Sequence, residues 1–143
     1  MQLIKLSTLL VFIVLHSNAF AETYICSIKN VSKLNENGYF VSHGWKTNYL
    51  NREFTINRDS GKVLNTTALK ERLSNFDATN KPIVIHRNSN NKSLKVFTEF
   101  TENGTYALFE MIDINQDKSD KPYFYHTSIG MILSGTCSVN NSQ

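Results

Sequence analysis

The stretch "DINQDKSD", residues 113–120, places Asp113, Asn115, Asp117 and Ser119 at alternate positions. That is the oxygen spacing with which a helix-loop-helix calcium site begins. Such a loop also needs a glycine at its sixth position and a bidentate glutamate at its twelfth, where this chain has Lys118 and Phe124. Without the glycine the sharp turn is lost, and without the glutamate two ligand oxygens are missing. The stretch therefore reads as a polar hairpin tip whose Asp and Asn side chains cap their own turns, and no metal or other cofactor is expected.

Three histidines lie beyond the first twenty residues, His43, His86 and His126, far apart and without the spacing of a zinc pair. Nucleophilic catalysis has no G-x-S-x-G elbow, and the serines of "DSG" (59–61) and "LSG" (133–135) stand where turn chemistry already explains them. Cys26 and Cys137 lie near the two ends of the sequence without C-x-x-C spacing. Together with an export signal they read as one disulfide, with Cα atoms roughly 4.4 to 6.8 Å apart.

The aromatic residues are the remaining chemistry. Trp45 follows Tyr39 and Phe40, and Tyr123, Phe124 and Tyr125 are consecutive. On a strand, alternate members of that run face opposite sides, so at least one meets solvent, a loop or a partner. Trp45, Tyr123, Phe124 and Tyr125, with Ser60 and Gly61 in the turn "RDSG", form the candidate recognition surface.

The elements that must position these residues are mostly strands. The chain opens with Lys5, an apolar run from Leu6 to Leu15, and Ala19-Phe20-Ala21, the pattern of a cleaved secretory leader over residues 1–21. That run is shorter than the roughly 20 residues of a membrane span, so no span is expected once the leader is gone. Residues 22–143 then form one domain, periplasmic or secreted. The formal net charge of +3 comes from scattered residues, which gives no footprint for nucleic acid.

"TYICSIKNV" puts Tyr24, Cys26 and Ile28 on one face. "REFTINRDSGKVLN" is a hairpin with Phe54 and Ile56 on one side and Gly61 free for positive φ. "TTALKERL" (66–73) reads as a short helix. "YFVSHGWKT" reads as a strand followed by a loop, "IVIH" as a short buried strand, and "SLKVFTEF" and "TYALFEMIDI" flank an Asn103-Gly104 turn. Gly130 and Gly135 mark bends or bulges in the last segment. The expected fold is mainly β: a small antiparallel barrel or sandwich of about 7–8 strands with one short helix.

"YICSIKNVSKLNENG", "FTINRDSGKV", "KPYFY" and "SGTC" together resemble an uncharacterised family of small exported, periplasmic proteins of Gram-negative bacteria with a terminal Cys pair. That resemblance implies the compartment and the pairing. The chain is also similar to the periplasmic inhibitors of C-type lysozyme, which insert a Ser-Gly loop into the enzyme, and Ser60 and Gly61 are the matching positions here. The expected function is a non-catalytic protein-binding module or inhibitor with another exported protein as its partner. A small-ligand carrier with a barrel cavity and a hydrolase are the alternatives.

Overall fold

The computed structural model describes residues 23–64, 82–86, 93–100, 104–112 and 119–140. The expected leader, the expected helix over 66–73 and most of the 113–120 tip lie outside the described residues.

Alternating burial selects strands almost throughout. β1 (Thr23–Leu34) turns back through a short β2 (Phe40–Ser42) into a single-turn helix α1 (Lys46–Tyr49). There follow β3 (Glu53–Asn57), β4 (Val63–Leu64), β5 (Ile83–His86), β6 (Ser93–Phe100), β7 (Thr105–Ile112), β8 (Lys121–Thr127) and β9 (Met131–Val139). They form one antiparallel sheet in the order β4-β3-β1-β9-β8-β7-β6-β5, with β2 attached to the far end of β1. The helix differs from the loop expected after "YFVSH". The backbone N–H of Lys46 donates to the His43 carbonyl and that of Leu50 to the Lys46 carbonyl, which winds the segment into a turn of helix.

The sheet curls into a half-barrel. Phe54 on β3 and Phe109 on β7 are separated by β1, β9 and β8, a distance of about 19 Å across a flat sheet at roughly 4.8 Å per strand. Their ring centroids are 6.2 Å apart, which only a strongly curled sheet allows. The β3–β4 turn reaches the other end in the same way: a Cβ at Gly61 (φ +67°) would lie 2.7 Å from Val96 of β6 and 3.2 Å from Val84 of β5. Among the described residues β4 and β5 make no ladder with each other, so the sheet is curled without being closed by hydrogen bonds.

The concave face holds the core. Tyr24, Cys26, Ile28, Phe54, Ile56, Val96, Phe109, Tyr123, Tyr125 and Leu133 are all buried there. The expected alternation in β1 and β3 is seen, and the aligned termini place Cys26 directly opposite Cys137 in the β1–β9 ladder, joined by a disulfide. Their Cα atoms are 3.9 Å apart, closer than the expected range.

Just beyond the disulfide the β1–β9 register slips between Ile28 and Asn30. Gly135 makes that bulge possible, since a Cβ there would sit 1.9 Å from the carbonyl oxygen of Ser27. The clash is with backbone, so no side-chain rotation relieves it. Gly135→Ala is therefore expected to cost about 1–3 kcal/mol by overpacking, measured by denaturant unfolding. Gly44→Ala, where nothing lies within 4 Å of the added carbon, serves as the neutral comparison.

Candidate functional site

The outward-facing residues of a sheet curled this way should be polar. On β7, β8 and β9 many are apolar instead: Tyr106, Leu108, Phe124 and Ile132 point to the convex side, alternating with the buried Ala107, Phe109, Tyr123, Tyr125 and Leu133. Register places them in rows. Leu108, His126, Ile132, Ser32 and Ser42 are successive partners across β7, β8, β9, β1 and β2. The next row is Glu110, Phe124, Ser134 and Asn30.

Across these rows β9 lies between β8 and β1, and the side chains of the three strands, with Leu108 of β7 and Phe40 beside β1, line a trough. Ile132 and Ser134 of β9 form its floor. Leu108, Phe124 and His126 form one wall, and Asn30, Ser32 and Phe40 the other. The groove has a volume of about 550 Å³, within the roughly 300–1,000 Å³ typical of ligand pockets. None of the eight lining residues is an acid, a lysine or an arginine.

The apolar surface continues at both ends of the groove. Tyr106 packs against His126 (centroids 6.1 Å) and stacks on Phe97 of β6 (5.9 Å), while its backbone N–H donates to Ser128 Oγ at 3.0 Å. Across the trough, Phe40 stands between Tyr39 and Val41 on an exposed edge strand, with Leu34 opposite it; Phe40 is 67% exposed. The turn that carries this strand is tied by Asn35, whose Oδ1 accepts from the N–H groups of Asn37 and Tyr39. Beside Phe124, Glu110 is engaged by Lys95 at 2.8 Å, which closes that side with a neutralised pair.

The six residues expected to form one recognition surface are dispersed. Tyr123 and Tyr125 are core residues, 3% and 2% exposed, because the curl brings Phe54 over them. Burial pushes both phenols above their ordinary range, so they remain protonated, and Tyr123 donates to the Ser27 carbonyl at 3.4 Å. Phe124, between them, faces the groove. Ser60 donates to Asn57 Oδ1 within its own turn, and Gly61 is buried against Val84 and Val96. Trp45 leans on the core beside His43.

Two of the histidines are also far from one another in role. His126 lies in the groove wall between Leu108 and Ile132, neither of which can orient it as a base. His43 accepts a hydrogen bond in the turn before α1. Among the described residues no group of three or more His, Cys, Asp or Glu side chains is placed to hold a metal ion. The calcium-like tip at 113–118 and the side chain of His86 lie outside the described residues.

Sequence reasoning missed Asn30, Ser32, Phe40, Leu108, Ile132 and Ser134. The signal was present in part: "YALFEMI" and "YFYH" are apolar on both parities, which an antiparallel strand with one wet face should not be. Which of the two apolar parities faces inward is decided by the curl.

Compared with known proteins, the chain matches no family model, and no curated protein or solved structure is similar enough to it to count as a match.

Proposed function

We propose that this chain is an exported, non-catalytic binding module whose convex groove receives apolar side chains of another exported protein. The observation that carries this reading is the groove itself, an apolar trough with no acidic or strongly basic lining residue on the side of the sheet that water should cover. The buried disulfide supports a compartment outside the reducing cytosol. The leader-like residues 1–21 narrow that to the periplasm or the exterior. No helix among the described residues is long and apolar enough to cross a membrane.

A lining with no acid, lysine or arginine selects the kind of contact. A charged group entering this trough would lose hydration without gaining an opposite charge, whereas leucine or aromatic side chains would bury area on Phe124, Leu108 and Phe40. Asn30, Ser32 and Ser134 supply donors and acceptors for the backbone that carries those side chains. A barrel-cavity carrier is less well supported, because Phe54, Phe109, Tyr123 and Tyr125 pack on the concave side, where its ligand would have to sit. A hydrolase is less well supported, because among the described residues no hydrogen bond joins His126 to Ser32 or Ser134, the serines that share its groove, and Ser32 Oγ donates to the Ile132 carbonyl instead.

The test is site-specific photocross-linking in the exported fraction. A photoreactive phenylalanine analogue at position 124 is expected to give one protein adduct that the same probe at the exposed Ile83 of β5 does not. Ile132→Glu on the groove floor should weaken capture by about 30-fold or more, as loss of a central apolar anchor does, while leaving the fold intact. Equal adducts at positions 124 and 83, or capture insensitive to Ile132→Glu, would overturn the reading.

A further inference from the structure

The wall of the groove that carries Phe40 is a short edge strand, tied on one side by the Asn35 turn and leading on the other into His43. β2 has three residues, all exposed, and pairs only with the end of β1 among the described strands. Its chain continues at once into His43, where the hydrogen bonds converge. The His43 N–H donates to the Val31 carbonyl at 3.1 Å, and the Lys46 N–H donates to the His43 carbonyl at 3.0 Å. The imidazole Nδ1 accepts the N–H of Trp45 at 3.0 Å.

That last bond fixes the chemistry of the ring. An imidazole nitrogen accepts only when it carries no proton, so the turn requires neutral His43 with its proton on Nε2. The side chain does here what Asp or Asn does in an Asx turn, accepting the N–H two residues on. Those residues keep their acceptor at every pH near neutrality; histidine does not.

We propose that His43 is an acid-operated latch: neutral, it ties the turn between β2 and α1, and protonated, it releases that turn and frees the Phe40 wall of the groove. The latch itself stands on the hydrogen bonds around His43. Its effect on binding rests on the groove's being the recognition site.

The surroundings set the direction of the response. Burial first, and then the ammonium of Lys33 on β1, hold the His43 imidazole below its ordinary value of 6.5. The first residue of α1, Lys46, is also a cation. An unfolded chain would thus bind the proton more readily than the folded one. The contribution of neutral His43 is complete above about pH 6.5 and is lost as the pH falls through the lowered folded value.

The chain contains a single tryptophan, Trp45, with its ring centroid 5.0 Å from that of His43, so the latch has its own reporter. Trp45 fluorescence, followed from pH 8 to pH 4 with no partner present, is expected to show one transition with its midpoint below 6.5. Across the same interval, amide exchange at His43 and Trp45, corrected for its intrinsic pH dependence, should lose about 5- to 10-fold in protection, the equivalent of one net hydrogen bond.

His43→Asn supplies an acceptor that does not titrate and is expected to abolish both changes. Should that variant fold poorly, the 15N shift of His43 Nδ1 in the unaltered protein gives the same answer, since it must move from unprotonated to protonated across the fluorescence transition. Fluorescence quenching with unchanged amide protection would mean protonation without release, and the proposal fails. It also fails if His43→Asn keeps the wild-type profile. Both readouts are independent of the groove's occupant, so a failed cross-link at position 124 leaves them standing, and their failure leaves the cross-link standing.

Discussion

Reducing the Cys26–Cys137 disulfide, or replacing both cysteines by alanine, is expected to remove about 4–5 kcal/mol of stability. The bridge closes a sequence separation of 111 residues, and chain-entropy bookkeeping for a loop of that length gives roughly that figure. The effect falls mainly on the unfolded chain, because β1 and β9 remain paired over nine positions without the bond. The folded sheet should keep its far-ultraviolet circular dichroism while its unfolding midpoint drops by about 10–20 °C. Both sulfurs are fully buried, so the alanine pair adds a small packing loss to the entropic one. Guanidinium unfolding with and without reductant checks this, and the reduced protein should show a larger m-value as its unfolded state expands. A loss below about 1 kcal/mol would mean that the bridge does not constrain the unfolded chain as the loop model requires.

This pairing was fully legible in the sequence, with two cysteines and one possible partnership. Strand faces were legible wherever one parity alone is apolar: Phe54 and Ile56 of β3 are buried as their alternation with Thr55 and Asn57 requires. In β1 the pattern holds for Tyr24, Cys26 and Ile28 and then changes phase, because the bulge at Lys29 makes Val31 the next buried residue. A bulge leaves only a glycine as its trace in sequence, and that glycine, Gly135, sits more than a hundred residues away on the partner strand.

The site was less legible than the fold, for a geometric reason. Tyr123-Phe124-Tyr125 shows that one parity must face out, but both parities are aromatic. The choice between them is made by Phe54 arriving from β3. The groove needs Asn30, Phe40, Leu108, Phe124 and Ile132 from five strands in register, and no local pattern in any one of them encodes that meeting. Likewise, His43 looked like an isolated strand histidine. Its role appears only when the chain turns and brings the Trp45 N–H to its ring.

Phe54 is accordingly the residue whose loss should most damage the architecture apart from the disulfide. It is 1% exposed, and its ring meets Tyr123 edge-on at 5.4 Å, Phe109 edge-on at 6.2 Å and Tyr125 at 6.3 Å. These contacts join β3 to β7 and β8 across the hollow of the half-barrel, where no ladder connects those strands. Phe54→Ala is expected to cost about 3–5 kcal/mol, the transfer and cavity terms together, with loss of the near-ultraviolet circular dichroism that the packed tyrosines generate. Phe54→Leu keeps most of the volume and should cost about half as much. Phe124→Ala, three strands away in the sheet order and on the convex side, should cost less than about 1.5 kcal/mol, because its ring is only partly buried. The ordering of the three variants is the decisive measurement. If Phe54→Ala were no worse than Phe124→Ala, the curl would be held by the backbone ladders alone. The choice of which aromatic faces inward, and with it the existence of the convex groove, could then no longer be attributed to this one side chain.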